Sequence, residues 1–392
     1  MAITGIICEF NPLHNGHKYL IEQAKGTVVC VMSGNSTQRG ELAVADKYAR
    51  AEAALRCGAD LVLELPYPWC SGSAEYFSRA AVGILESLET DNLLFGSESG
   101  DVEALKRAAE CALSDEFAQR YESACNANIP STAAYLNTLN DLCSFEAGSN
   151  DILGIEYIKA IISSNGKMKP TAVKRKGAAY LCDKLTEGEI ASATALRQAR
   201  SFEDIAQYMP KGSFDILRRE ADEENFPCDM KNIESAVLSF FRLHPPSFFT
   251  DANIAGAGGG VANLLCRAAA ESRTLDEMLQ KAVTKNYTNS RIRRTLLYCM
   301  TGVEYADLEN VPSYVNLLAA NKCGRELLGR VRYAENTGLQ ILTKPSDCVQ
   351  INSDNARRQA ELSKRLDSIY TLASPKPKIA GDMLRRSPYI EN

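Results

Sequence analysis

The first twenty or so residues constrain the fold of this chain more than any other stretch. Ile3–Cys8 is an apolar, largely β-branched run of strand length, and Pro12 and Gly16 break it. Asn15 stands where a helix N-cap is wanted, ahead of a helix predicted over residues 17–25. The pattern therefore predicts a buried strand, a tight turn and a helix. In an open α/β sheet ligands bind at such a junction, because backbone N–H groups and the helix dipole converge there on an anion.

Two of the three histidines in the chain, His14 and His17, fall at this junction. Imidazole N–H donors beside a helix N-terminus can stabilise the charge that develops on the α-phosphate of a nucleoside triphosphate during adenylyl transfer. Gly16 has no side chain, so a purine or ribose can approach the backbone closely. The segment N-P-L-H-N-G-H resembles the H-x-G-H signature of the HIGH-type nucleotidyltransferases. Two alternatives stay open here: a metal site that includes Glu9, or histidines that only shape the turn.

Composition limits where the chain can act and what it can bind. At 392 residues it is long enough for two or three domains, and its net charge of −5 means that any nucleic-acid contact needs a local basic patch. The thirteen cysteines include no C-x-x-C pair, which favours reduced thiols over a zinc site. No apolar run approaches the ~18 residues of a membrane span, and no cleavable leader precedes the first strand. We expect a cytoplasmic protein without membrane contacts.

Strand and helix patterns alternate through the first half of the chain. Continuous apolar runs predict further strands at residues 27–32, 61–64, 92–95 and 171–174. Apolar residues at helical spacing predict helices at residues 46–57, 75–88 and 151–163, the last of them capped by Asn150. Because each strand is apolar throughout, the predicted class is α/β, with a Rossmann-like parallel sheet covered on both faces. This domain is predicted to span residues 1–200, with a helical insertion at about 101–165.

A short helix near residue 195 completes the predicted anion site. Ser192 is a natural N-cap, so Thr194 and Arg197 would lie on the first turns and face the same region as His14. Simple capping with a surface arginine is the alternative.

Beyond Phe202 amphipathic helices dominate, which predicts a mainly α-helical domain over residues 201–392 that ends in a mobile tail from Ser374. The glycine run at residues 255–260 follows no strand, so it predicts a hinge and not a dinucleotide loop. Residues 281–303 hold five basic side chains, two tyrosines and no acidic residue. Such a patch is typical of nucleic-acid binding, although a solvated helix face is the alternative.

Together these segments resemble one family, the bacterial tRNA(Met) cytidine acetate ligases. The matching stretches are E-F-N-P-L-H-N-G-H at 9–17, V-M-S-G-N-S-T-Q-R-G-E-L-A at 31–43, D-K-Y-A-R-A-E at 46–52, D-L-V-L-E-L-P at 60–66, L-F-G-S-E at 94–98, N-D-I-L-G-I-E-Y at 150–157, I-A-S-A-T-A-L-R at 190–197 and K-N-Y-T-N-S-R-I-R-R at 285–294. This ordered set is far more specific than the histidine motif alone. Leu13 and Ser36 depart from aromatic residues that are usual in the family, and residues 259–265 lack its usual Glu and Arg.

The resemblance implies a two-step ligase. ATP and acetate would first give acetyl-adenylate and pyrophosphate. The exocyclic amine of the wobble cytidine of elongator tRNA(Met) would then take the acetyl group, giving N4-acetylcytidine and AMP. Mg²⁺ is the usual companion of ATP, and neither a tightly bound metal nor a DNA partner is implied.

The resemblance also implies roles for individual residues. His14 and His17 are the catalytic pair that steadies the phosphates, and Gly96 lets adenosine lie against the backbone. Arg175 and Lys176 neutralise the polyphosphate. Ser192 and Thr194 cap the second phosphate-facing helix, the loop at residues 33–41 borders the acetate pocket, and the tRNA contacts are Lys285, Tyr287, Arg291 and Arg294. The whole ATP site comprises Ile7, Cys8, Glu9, Phe10, Asn11, Pro12, Leu13, His14, Asn15, Gly16, His17, Lys18, Tyr19, Leu20, Gly96, Asn150, Arg175 and Lys176.

Two other functions compete with the ligase. An adenylyltransferase that joins ATP to a small phosphorylated metabolite, such as pantetheine phosphate, would use the same first half. That class usually needs only the α/β domain, so the long helical half with its basic, acid-free run weighs against it. A non-catalytic RNA-binding protein would leave the histidine motif without a purpose.

Overall fold

The computed structural model describes residues 2–127, 129–175, 191–199, 201–333, 339–351 and 353–391. Its strands are β1 (Ile3–Cys8), β2 (Thr27–Ser33), β3 (Leu61–Leu65), β4 (Asn92–Ser97), β5 (Lys169–Lys174), β6 (Tyr314–Ala320), β7 (Gln340–Leu342) and β8 (Tyr389–Ile390). Its α-helices are α1 (Asn15–Glu22), α2 (Lys47–Arg56), α3 (Ala74–Glu86), α4 (Val102–Ala112), α5 (Asp115–Asn126), α6 (Ser131–Cys143), α7 (Ser149–Ser163), α8 (Ala193–Arg197), α9 (Lys211–Asp222), α10 (Glu234–Leu243), α11 (Pro246–Asp251), α12 (Val261–Ala270), α13 (Leu275–Ala282), α14 (Asn289–Thr301), α15 (Tyr305–Glu309), α16 (Lys322–Tyr333) and α17 (Asp354–Leu372). None of these helices combines the length and the apolar character that crossing a membrane requires.

The described strands form one sheet in the order β5-β4-β1-β2-β3-β6-β7, and β8 pairs with β6. The strands from β5 to β3 are parallel to one another, whereas β6 runs antiparallel to β3. Strands β1, β2 and β3 are buried along their whole length. Central strands covered on both faces have this character. The predicted α/β class with a parallel sheet is therefore confirmed.

Side chains of the central strands alternate between two apolar cores. On one face, Ile7 of β1 lies in the same core as Phe77 of α3 and Ile158 of α7. On the other face, Ile6 lies in a core with Leu55 of α2. Both faces of the sheet are thus covered by helices, so the strand ends are the places left for a ligand.

The strand order reverses at β1. The chain passes from β1 through α1 to β2 on one side, and after β3 it crosses through α3 to β4 on the other side of β1. A crevice forms outside the carboxyl ends of the strands at such a switch point. The turn after β1, which carries His14, therefore lies where this class of fold binds ligands.

The C-terminal half adds β6, β7 and β8, which the sequence did not predict. All seven residues of β6 are buried, and the strand pairs with β3 through Leu61 and Ala320 and through Val62 and Ala319. An isolated apolar run of this length is hard to distinguish from a buried helix segment by periodicity alone. The sequence predicted that helices dominate beyond Phe202, and β6 shows that the second half also completes the sheet of the first. The domain boundary near residue 200 stays a prediction.

The segment after Ser374 packs against the α/β half, where the sequence predicted a mobile tail. Strand β8 pairs with β6, and Arg386 forms an ion pair with Asp46 at 2.6 Å. Asp46 is the N-cap of α2, and its carboxylate accepts hydrogen bonds from two backbone N–H groups there. The ion pair depends on a partner 340 residues away in the chain, which local composition does not reveal.

Candidate active site

A cleft opens at the switch point beside the ends of β1 and β4. The predicted ATP-site residues that line it are Ile7, Cys8, Glu9, Phe10, Asn11, His14, Gly16, His17, Tyr19, Leu20, Gly96, Asn150 and Arg175. Ser192 and Thr194 line it as well. Most of the residues that the sequence nominated from distant segments therefore come together at one place.

Four nominated residues lie elsewhere. Pro12 and Leu13 are buried beneath the turn, and Leu13 packs in the core on the α2 face of the sheet. The side-chain amide of Asn15 donates to the carbonyl of Gln207 at 3.0 Å. Lys18 is exposed and faces Glu22 on the surface of α1 at 3.7 Å. Lys176 lies outside the described residues. A role for these five in ATP binding stays a prediction.

His14, and not Asn15, is the N-cap of α1. Its Nδ1 accepts a hydrogen bond from the backbone N–H of Gly16 at 3.1 Å. The Nδ1 of His17 accepts in turn from the backbone N–H of His14 at 3.3 Å. The two rings stack with their centroids 3.8 Å apart. The prediction of Asn15 as cap was wrong because an imidazole here replaces the usual side-chain oxygen. The helix begins at Asn15, two residues before the predicted start.

This capping arrangement fixes the protonation of both rings. Each Nδ1 accepts an N–H, so a neutral ring carries its single proton on Nε2. Burial, with the positive charges of Arg175 and Arg197, lowers the pKa of His14 to about 3. Burial, with His14 and Arg175, lowers the pKa of His17 well below its ordinary value. Near neutral pH the cleft therefore contains two uncharged imidazoles, each with one N–H donor that the cap does not use.

Basic side chains flank the histidine turn. Arg197 of α8 donates to the carbonyl of Asn11 at 2.9 Å and lies 3.7 Å from the carboxylate of Glu41. The backbone N–H of Arg175 donates to Ser97 at the end of β4 at 3.0 Å. Ser192 is the N-cap of α8, as predicted, and its hydroxyl accepts from the N–H of Ala195 at 3.0 Å. Two guanidinium groups and two helix N-termini thus surround one cleft, which favours a polyanionic ligand.

Asn150 was predicted to be the N-cap of α7, but it lies in the first turn of that helix. Gly148 holds the cap position, and the carboxylate of Glu98 accepts from the N–H of Asn150 at 3.1 Å and of Asp151 at 2.9 Å. The side-chain amide of Asn150 also donates to Glu98, at 2.6 Å. The cap was missed because it comes from another element. It fixes the N-terminus of α7 to the end of β4, beside Gly96.

A buried arginine, to which the sequence assigned no role, joins β1 to the loop after β2. Arg50 of α2 is 2% exposed. Its guanidinium donates to the carbonyls of Glu9 at 2.6 Å and Ala45 at 2.9 Å, and also to that of Gly34. Five N–H donors in a rigid plane allow one side chain to satisfy several carbonyls in this way. Sequence reasoning missed it because a basic residue in an amphipathic helix usually faces solvent.

The start of this loop is also fastened to the C-terminal helix α17. Asp367 accepts from the side-chain amide of Asn35 at 2.8 Å and lies 3.5 Å from Lys47. Lys47 also pairs with Glu64 of β3 at 2.8 Å. All four side chains are buried. Removing one partner from such a group leaves an uncompensated buried charge, so we expect this cluster to hold the loop and α17 together.

Helix α14 carries the predicted basic patch, and it contacts the same loop. Lys285 is exposed just before the helix, and the guanidinium of Arg291 lies over the ring of Tyr287, 4.9 Å from its centroid. Arg294, in contrast, donates to the carbonyl of Gln38 at 3.2 Å, and Arg293 lies 3.6 Å from Glu41. The patch is therefore partly an exposed basic surface and partly a support for the loop that lines the cleft.

Within the described ranges, no group of three or more His, Cys, Asp or Glu side chains is arranged to hold a metal ion. The cysteines there are free thiols. The alternative of a metal site at His14, His17 and Glu9 thus has no ligand set among these residues. The cap also uses Nδ1 of both rings, so each has only Nε2 left for another contact.

This chain is similar to known proteins along almost its whole length. The model of the HIGH nucleotidyl transferase family matches residues 1–383. The tRNA(Met) cytidine acetate ligase of Acetivibrio thermocellus is 33% identical, and the match covers 96% of this chain and 96% of the relative. The protein of the same name from Caldanaerobacter subterraneus subsp. tengcongensis is 34% identical, with 95% and 96% covered.

Two solved structures of Thermotoga maritima TmcAL have the same fold. The form bound with alpha-thio ATP matches with a TM-score of 0.90 at 30% identity, over 100% of both chains. The apo form I matches with a TM-score of 0.92 at 30% identity, over 100% of this chain and 99% of that one. The similarity thus includes the helices after residue 200 as well as the sheet.

Proposed function

The chain belongs to the HIGH nucleotidyl transferase family and, within it, to the tRNA(Met) cytidine acetate ligases, and we propose that it activates acetate with ATP and acetylates N4 of the wobble cytidine of elongator tRNA(Met). It is an ATP-dependent ligase. The observation that carries the proposal is the neutral histidine pair at the N-terminus of α1, in a cleft whose loop is held by the basic helix α14.

In the first step, a carboxylate oxygen of acetate attacks the α-phosphorus of ATP. A phosphorus–oxygen bond forms, the bond to the bridging oxygen of the β-phosphate breaks, and pyrophosphate leaves. The Nε2–H groups of His14 and His17 and the N–H groups at the start of α1 donate to the charge that develops. Arg175 and Arg197, with Lys176 beyond the described residues, balance the polyphosphate, and Mg²⁺ accompanies ATP.

Adenosine fits the side of the cleft near Gly96. A Cβ placed on Gly96 would meet only the side chain of Arg175, its Cγ at 3.6 Å and its Nη1 at 4.0 Å. The protein backbone alone therefore does not demand glycine at this position. A glycine here would allow a ribose or purine to approach the backbone closely. The side chain of Asn150 borders the same space.

In the second step, N4 of the cytidine attacks the carbonyl carbon of the adenylate. A carbon–nitrogen bond forms, the carbon–oxygen bond to the phosphate breaks, AMP leaves with the electron pair, and N4 loses a proton. No side chain becomes acetylated, so catalysis consists of positioning and electrostatics. Exposed Lys285 and half-buried Arg291 would hold the tRNA backbone, beside the loop that borders the adenylate. We assign the protein to the cytoplasm, with its tRNA substrate.

Mass spectrometry of nucleosides tests this function directly. Elongator tRNA(Met) incubated with the protein, ATP and acetate should gain one acetyl group at the wobble cytidine. The reaction should fail without acetate, and with a transcript whose wobble cytidine is replaced by uridine. Exchange of labelled pyrophosphate into ATP should likewise require acetate. Exchange that ignores acetate and responds to a phosphorylated metabolite would instead indicate the adenylyltransferase, which the helical half and the relatives disfavour.

A further inference from the structure

One part of the cleft lining contains neither a histidine nor an arginine. Its walls are apolar side chains on the α3 and α7 face of the sheet, and we call it the apolar recess: Ile7, Phe77, Phe95, Leu153 and Tyr157. Phe77, Phe95 and Tyr157 are each at most 5% exposed, so they form the inner part of the cleft lining. Arg175, in contrast, is exposed at its edge.

The walls of the recess are closely packed and cannot easily collapse or widen. The ring of Phe95 meets that of Tyr157 edge to face, with centroids 5.7 Å apart. A Cβ on Gly154 of α7 would lie 2.6 Å from the ring of Phe95, so the helix rests directly on that ring. Phe77 belongs to the same large core. A recess with such walls should discriminate between ligands by size.

The hydroxyl of Tyr157 forms no hydrogen bond with another described residue, and the residue as a whole is 5% exposed. Burial is the main cause that raises the pKa of this phenol above its ordinary value, and the negative charge of Glu9 is the second cause. The phenol therefore keeps its proton. Its position on the cleft lining makes it available to an acceptor atom of a bound ligand.

The position of the recess matches what the acid has to do. The carboxylate must reach an α-phosphate held by the N-terminus of α1, while the alkyl group must avoid the charged groups around it. Helix α1 contributes to the core on one face of the sheet, and Ile7 and the recess lie on the other face. A small acid in the recess would therefore approach the phosphate from the α3 and α7 side of the sheet.

We infer that the apolar recess binds the alkyl group of the acid substrate, that the Tyr157 hydroxyl donates to its carboxylate, and that Phe77 limits its length to that of acetate. The inference rests on the proposed function, because it names the acid subsite of that reaction. It extends that function by assigning specificity to two residues outside the histidine motif. The loop at residues 33–41 lines the same cleft through Thr37, Gln38, Arg39 and Glu41, and none of these side chains belongs to the apolar recess.

Acid-dependent exchange of pyrophosphate into ATP tests the role of Phe77. We expect Phe77→Leu to lower the preference for acetate over propionate, measured as the ratio of kcat/KM values, about 10-fold, since one methylene in a pocket is worth roughly that factor. Phe249→Leu is the matched control, because Phe249 is fully buried in the core near α11 and does not line the cleft. An unchanged ratio in a folded Phe77→Leu protein would overturn the inference.

Tyr157→Phe tests the hydroxyl and keeps the ring and its contact with Phe95. We expect the KM for acetate to rise about 10-fold, which is the scale of one hydrogen bond to a charged group, and the KM for ATP to stay unchanged. A KM for acetate equal to that of the wild type would show that the Tyr157 hydroxyl does not bind the acetate carboxylate. Wild-type protein that exchanges without any acid would contradict the proposed function itself, and that outcome is visible before any variant is made.

Discussion

The histidine turn and helix α14 both concentrate basic residue types, yet they are built in opposite ways. The imidazoles of the turn are held by backbone hydrogen bonds, and burial keeps them neutral. On α14, Arg291 is half-buried against Tyr287, and Lys285 before the helix is exposed. Buried donors act on charge at one fixed point, whereas exposed charges act over a distance and are screened by salt. The first arrangement suits chemistry on a phosphate, and the second suits recognition of a polyanion.

The loop after β2 belongs to both regions. The backbone N–H of Gln38 donates to Glu9 of the cleft at 2.6 Å, while the carbonyl of Gln38 accepts from Arg294 of α14 at 3.2 Å. Glu41 faces Arg197 at 3.7 Å and Arg293 at 3.6 Å. Two properties can therefore be tested: whether the histidine turn and α14 have separate functions, and how far this loop couples them.

The largest effect is expected from His17→Ala. It removes one preset donor from the cleft, so acetate-dependent exchange should fall by roughly 10²–10³-fold, the usual result of deleting one such donor. Thermal unfolding should show that the protein still folds. His244→Ala is the matched control, because the third histidine packs against Phe248 at 4.3 Å and lies outside the cleft. Near-wild-type exchange by His17→Ala would mean that the turn is structural only.

A second prediction concerns acid stability. The unfolded chain protonates His14 below its ordinary pKa of 6.5, whereas the folded protein does so only near the lowered pKa of about 3. The contribution of neutral His14 to the free energy of unfolding is therefore fully present above the pKa of the unfolded chain. It is lost as the pH falls from that pKa towards the pKa of the folded protein, by up to ~1.4 kcal/mol per pH unit. His14→Asn keeps an N-cap and removes this titration. We expect its unfolding temperature to fall less than that of the wild type between about pH 7 and about pH 5. Parallel curves would contradict the neutral, buried imidazole.

Replacing the exposed part of the patch should affect tRNA alone. Lys285→Ala with Arg291→Ala should spare exchange, weaken tRNA binding about 10-fold and lower the slope of log affinity against log salt by about 1–2. Arg294→Ala makes a separate test, since its bond to Gln38 supports the cleft loop and its loss should also reduce exchange. Sequence reasoning grouped Arg291 with Arg294, and the structure divides them. A double variant that acetylates tRNA normally would remove the patch from recognition.

The parts of this molecule that the sequence predicted depend on local signals. Continuous apolar runs located β1 to β5, and the capping hydroxyl of Ser192 located α8. The ordered motifs also predicted that most of the cleft residues belong to one site. These features could be predicted because strand, cap and turn preferences act within a few residues.

The features that were missed depend on partners far away in the chain. The carboxylate of Glu98 caps α7 across more than fifty residues, and Arg50 reaches the carbonyl of Glu9 from α2. Strand β6 is defined by its pairing with β3, some 250 residues earlier. Phe77 and Tyr157 looked like ordinary core residues, which they also are. No local pattern distinguishes a core aromatic that borders a cleft from one that does not.

The smallest predicted effect tests the coupling directly. Glu41 is half-exposed and lies at the outer limit of ion-pair distance from Arg197 and Arg293, so solvent screening leaves each contact weak. We expect Glu41→Gln to change exchange by only about 2–3-fold. A double-mutant cycle with Arg293→Ala measures how far the two regions depend on each other. If the effects on exchange simply add, Glu41 carries no coupling, and any communication between α14 and the cleft has to pass through Gln38. If they do not add, the carboxylate shared by the two arginines links tRNA binding to activation of the acid.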